Sequence, residues 1–177
     1  FWIVKLNNSG TIQWQKTFGT TGSDFFPYII QTLDGGYVMI GTTQIFNGSY
    51  YGYNCNIIKI NSNGILEWQR FIESYNNSSF DSRYKIIQTA DNGYAVVGST
   101  VSGDTNSNSL PNYGGTNIWF LKLDASGITQ GQRSYGGGGD DHGSSIQQDS
   151  SGNYIIAGYT SSYNNTNPAY GQVNCNH

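Results

Sequence analysis

Three aspartates, Asp24, Asp81 and Asp140, stand at matching places in three similar segments, each six residues before an isoleucine (Ile30, Ile87 and Ile146). Each is expected in the loop that leads from the last strand of one unit into the first strand of the next. Carboxylates gathered on one rim would offer hard oxygen ligands to Ca²⁺. The same recurrence suits a structural duty, in which each carboxylate accepts backbone N–H bonds and fixes the crossing between units. A need repeated in every unit favours that second reading. The run Gly136-Gly137-Gly138-Gly139-Asp140-Asp141-His142 breaks the symmetry, because two carboxylates beside an imidazole are the parts of a metal or acid–base site. Four glycines are a loose support for one, however, and no second group of ligands in the sequence completes a coordination shell. No Lys-Ser/Thr pair follows the glycines, so they are not a phosphate cradle, and no Gly-x-Ser-x-Gly elbow offers a nucleophilic serine. These residues point away from an enzyme.

The elements that hold them come from internal repetition. FWIVKLNNSGTIQWQKTFG from Phe1, CNIIKINSNGILEWQRFIE from Cys55 and IWFLKLDASGITQGQRSYG from Ile118 align on Lys5, Lys59 and Lys122, which stand 54 and 63 residues apart. A second block follows each, beginning at Asp24, Asp81 and Asp140. Asn-Asn-Ser-Gly, Asn-Ser-Asn-Gly and Asp-Ala-Ser-Gly divide paired apolar runs, and Asp34-Gly35-Gly36 and Asp91-Asn92-Gly93 divide a second pair. Such turns mark tight hairpins. The third unit reads Ser150-Ser151-Gly152-Asn153 at that second turn, with one residue more. Four strands per unit follow: 28–33, 37–43, 56–61 and 65–71, then 84–90, 94–100, 118–124 and 128–135. Runs such as Phe1-Trp2-Ile3-Val4 and Trp119-Phe120-Leu121 are apolar at consecutive positions, which predicts burial on both faces of stacked sheets. The fold class is all-β, with blades of four antiparallel strands in the manner of a β-propeller.

The chain divides into a half blade over 1–23, blades over 24–74 and 81–136, and a half blade over 140–177 that ends at the start of another strand. Closing these halves on one another within one chain gives three blades, fewer than the four to eight usual for propellers. Three arrangements meet that difficulty: the chain is part of a longer array, further copies exchange end strands with it, or three units form a compact or open ring.

Composition narrows the partners. The residues are 36% hydrophobic and only 11% charged, with net charge −3 and 8 Lys and Arg in all, so there is no basic stripe for nucleic acid. No apolar run is long enough for a transmembrane helix, and membrane insertion is not expected. Polar uncharged surfaces with few lysines suggest a secreted or cell-surface protein. Cys55 and Cys175 occupy equivalent places two periods apart, which puts an internal disulfide out of reach. Phe46, Tyr50, Tyr51, Tyr53 and Tyr113 fall in the long connections over 44–54 and 101–116, where exposed tyrosine suits sugar rings or a protein partner as well as it suits a loop packed on itself. Trp14 and Trp68 are expected between blades.

Lys-Leu-x-x-x-Gly-x-x-x-Trp, present from Lys5 to Trp14 and, with Ile60 for Leu, from Lys59 to Trp68, resembles the tryptophan-docking repeats of quinoprotein-type propellers. The whole unit is closer still to the tandem propeller repeats of secreted and surface proteins of Bacteroidetes-like bacteria. The resemblance covers nearly the whole chain. It implies the propeller fold. The function expected of the chain is that of a non-enzymatic module of an exported or surface protein, acting in adhesion, surface display or self-assembly through its loops and edges, with a carbohydrate-binding or carbohydrate-processing propeller, its site at the channel mouth, as the alternative. Gly131 stands where Trp14 and Trp68 stand, so the third unit lacks the docking indole.

Overall fold

The computed structural model describes residues 1–46, 48, 51–72, 81–101 and 115–162. These form twelve strands in four antiparallel sheets, and no helix occurs among them. The first sheet pairs β1 (Trp2–Leu6) with β2 (Ile12–Thr17). The second runs in chain order through β3 (Asp24–Gln31), β4 (Tyr37–Phe46), β5 (Tyr51–Ile60) and β6 (Leu66–Ile72). The third repeats that order with β7 (Asp81–Gln88), β8 (Tyr94–Val101), β9 (Thr116–Leu123) and β10 (Thr129–Tyr135), and the fourth pairs β11 (Asp141–Gln148) with β12 (Tyr154–Thr160).

Turn chemistry explains the hairpins. Asn7, Asn61 and Asp124 each use a side-chain oxygen to accept two backbone N–H groups, two and four residues on. Gly10, Gly64 and Gly127 then take φ of 81°, 74° and 76°, a left-handed conformation that glycine adopts without strain. Asp149 does the same for the last hairpin, and five residues separate Gln148 from Tyr154 there, as five separate Gln31 from Tyr37. The third unit therefore has no extra turn residue. Ile146 corresponds to Ile29 and Ile86 rather than to Ile30 and Ile87.

Alternation along the inner strands buries both faces, as consecutive apolar residues require. Val38, Ile40, Cys55 and Ile57 of the second sheet share one fully buried cluster with Tyr84, Ile86, Tyr94, Val96, Trp119, Leu121 and Leu123 of the third. On its other face the second sheet packs Met39, Ile58 and Ile60 against Ile3, Phe1 and Phe18 of the first. The third sheet likewise packs Ala95, Val97, Ile118 and Phe120 against Ile146, Tyr154 and Ile156 of the fourth. The sheets thus stack in chain order. The Phe1–Val4 run departs from the expected double burial: Ile3 is covered, yet Trp2 is 65% exposed, because among the described residues no sheet lies on its side of β1.

The connection expected over 44–54 is mostly strand. The β4–β5 ladder continues out to Gln44↔Tyr53 and Phe46↔Tyr51, since polar and aromatic residues extend a ladder as readily as apolar ones once a hairpin is set.

Candidate functional site

A polar crevice of about 580 Å³ opens between the second and third sheets at their hairpin ends, where Asp34, Lys59, Glu67 and Arg70 meet Gln88, Tyr94 and Ser126. β5 carries Lys59 inward until its side chain is only 4% exposed, and its ammonium donates to Asp34 Oδ2 at 2.8 Å and Glu67 Oε2 at 2.6 Å. Burial pushes the Lys59 pKa down, but the hydrogen bonds to Asp34 and then Glu67 outweigh it and hold the ammonium above its ordinary value. The third sheet repeats the arrangement: Lys122 donates to Asp91 Oδ2 at 2.8 Å and to Gln130 Oε1 at 3.1 Å. Arg70 spends its guanidinium on the carbonyls of Gly127 and Ser126 across the crevice. Every cation here is already engaged in holding hairpins together.

The acid side follows. The hydrogen bond from Lys59, with a second from Thr32, lowers the Asp34 carboxyl from 3.8 to about 2. A depressed folded value stabilises the fold above the unfolded value near 3.8, and that contribution is lost as pH falls through about 2. Urea titrations between pH 4 and 2 should show stability falling over that window, with a shallower fall in Asp34→Asn; an unchanged acid limb would show that the Lys59–Asp34 pair does not form. Asp34 is 57% exposed, so the effect is modest.

The recurrent aspartates lie on strands rather than in loops. Asp24 opens β3 opposite Thr43, whose hydroxyl donates to it at 2.5 Å. Asp141 opens β11 opposite Thr160, whose hydroxyl also donates to it. Asp81 opens β7 opposite Ser99; its side chain is not among those described. The third member of the set is therefore Asp141, not Asp140, since each of the three stands seven residues before the glutamine that faces Tyr37, Tyr94 or Tyr154. Asp141 is 1% exposed and accepts the Gly137 N–H at 2.6 Å and the Ser162 hydroxyl at 2.9 Å. Asp140 is exposed. The backbone N–H of Thr116 reaches its carboxylate at 2.8 Å and lowers its pKa.

Of the candidate metal group Asp140, Asp141 and His142, the structure parts Asp141 from His142. Adjacent strand residues point to opposite faces, so Asp141 turns inward while His142 stacks on Tyr159 at 4.5 Å between ring centroids. Among the described residues no three His, Cys, Asp or Glu side chains gather as metal ligands. Of the aromatic candidates, Tyr53 accepts a hydrogen bond from Gln44 at 3.3 Å on the β4–β5 ladder, and Tyr51 lies on the same ladder. Tyr50 and Tyr113 lie outside the described residues, as does Cys175.

Trp14 reaches the next sheet, meeting Tyr37 edge to face at 6.1 Å and donating to the Ser62 carbonyl at 3.2 Å. Trp68 repeats this against Tyr94 at 5.6 Å and lies on the Gly127 turn. Gly131 has open space at the equivalent place. A further recurrent contact escaped the sequence reading. Gln88 accepts the Leu33 N–H at 2.8 Å and Gln148 accepts the Ala90 N–H at 2.9 Å, so one glutamine per unit latches onto the hairpin of the preceding sheet. Its recurrence was visible, but the Gln147-Gln148 doublet offered two alignments.

Cys55 is a free thiol, fully buried, and burial raises its pKa far above the ordinary range. In a Cys175→Ser background a thiol reagent should leave Cys55 unmodified until denaturant is added. Labelling at the unfolded rate without denaturant would mean that the second and third sheets do not stack as described.

No family model matches the chain, and no curated protein is significantly similar to it.

Proposed function

We propose that the stacked sheets are propeller blades and that the chain is a non-enzymatic module of an exported or surface protein, acting in adhesion, display or self-assembly. The observation that carries this reading is the use made of the recurrent polar residues. The lysine–carboxylate pairs, the aspartate–threonine pairs and the glutamine latches all join strands or sheets, and even where the Lys59–Asp34 pair and the Gln88 latch meet at one crevice, each is spent on a partner within the fold. Polar, weakly charged composition supports export. Beads coated with the chain should bind one another, while a panel of glycans and glycosides is neither bound nor cleaved. Glycan binding or cleavage without bead–bead adhesion would sink this reading in favour of a carbohydrate propeller.

A further inference from the structure

The second and third sheet junctions use equivalent residues, and the third is open among the described residues. At the junction of the second and third sheets, Cys55, Ile57, Tyr94 and Val96 are fully or almost fully buried, with Ile72 beside them, in the cluster that contains Trp119 and Leu121 of β9. The equivalents at the junction of the third and fourth sheets are Ile118, Phe120, Tyr154, Ile156 and Tyr135. These five line an open apolar groove of about 350 Å³, because no strand is described beside β12 at the place β9 takes beside β8.

The residues that would fill the groove sit at the other end of the chain. Trp2 of β1 is the equivalent of Trp119, down to the same bond: each indole donates to a glutamine, Gln15 or Gln132, at 3.2 Å. Trp119 is fully buried and Trp2 is 65% exposed. Val4 is the equivalent of Leu121. Charge agrees with shape. Lys59 and Lys122 each meet an aspartate from the preceding hairpin of their own sheet, whereas Lys5 makes no ion pair among the described residues. The β11–β12 hairpin offers Asp149, bound to its own turn among the described residues, at the position of Thr32, whose hydroxyl bonds the Asp34 carboxylate.

We infer that the groove is a docking site for β1 of a second copy of this chain. β1 pairs with the free edge of β12 and inserts Trp2 and Val4 over Ile118 and Phe120, with Lys5 beside Asp149. The register follows the two complete sheets, in which Met39↔Ile58 and Val96↔Leu121 pair, so Ile156 faces Val4 of the other copy. Ile155, now 55% exposed, becomes covered as its equivalent Val38 is. Two complete blades and one composite blade per copy make six in a closed pair, within the usual range of about four to eight. The pairing covers the edges that β1 and β12 present among the described residues. The inference rests on the blade reading above and adds to it the identity and register of the partner.

Light scattering on the full chain should give twice the 19.4 kDa chain mass. Trp2→Ala should weaken the association about 30-fold, as loss of a central buried indole does, while leaving the monomer's fold intact because Trp2 is exposed there. In a Cys175→Ser background, Val4→Cys chains mixed with Ile156→Cys chains should form a disulfide-linked pair, and Val4→Cys with Tyr154→Cys should not. A strict monomer, open-ended polymers, or an intrachain link between Ala157→Cys and His177→Cys that replaces the interchain one would each overturn the proposal. Bead adhesion that survives Trp2→Ala and gives no Val4–Ile156 link would overturn the docking site and leave the adhesion reading standing.

Discussion

Trp119→Ala should lower the unfolding free energy by about 3–5 kcal/mol, the range for truncating a buried tryptophan in a core that relaxes only partly. Trp119 is fully buried between the second and third sheets, meets Tyr84 at 6.0 Å and donates to Gln132. Its exposed counterpart supplies the control. Trp2→Ala removes the same side chain with the same glutamine bond, and in the isolated chain it should shift stability by no more than about 0.5 kcal/mol. Urea denaturation at concentrations where the chain is monomeric separates the two. Equal effects would show that the sheets do not stack in the order described.

Asp141→Ala should cost about 3 kcal/mol, since it strips a buried acceptor from the Gly137 N–H and from the Thr160 and Ser162 hydroxyls, leaving donors in the interior without partners. Asp140→Ala, one residue away and exposed, should change stability by less than about 0.5 kcal/mol. Asp141→Asn, which keeps the shape and one carbonyl oxygen, should fall between them. If Asp140 proved the costlier loss, the register of β11 against β12 would be wrong by one residue.

That single residue marks the limit of what could be read from the sequence. The strands, their order within a sheet and the turns were legible because local chemistry specifies them: an Asx side chain followed by glycine, then a run of β-branched residues. Which aspartate recurs was not legible. The Ile146-Gln147-Gln148 run aligns on its isoleucine or on its second glutamine, and the choice is made by contacts distant in sequence, the burial of Ile146 against the third sheet and the pairing of Asp141 with Thr160. The bulge between Gly143 and Ser145 further hides the register. Tyr53 was hidden for a related reason: a polar segment reads as a loop until the ladder beneath it is known to continue. Sequence proximity likewise conceals the parting of Asp141 from His142, since neighbours on a strand face apart.

Each apolar cluster and each glutamine latch joins one sheet to the next in chain order, and parts recur between junctions: a tyrosine at all three, an indole on a glycine turn at the first and second, and a glutamine latch at the second and third. Tandem duplication or unequal recombination within the coding sequence could therefore insert or delete a whole unit, and the new neighbours would meet surfaces already suited to them. Divergence would then be tolerated in the apolar filling, as Cys55 and its counterpart Ile118 illustrate, and resisted at the latches.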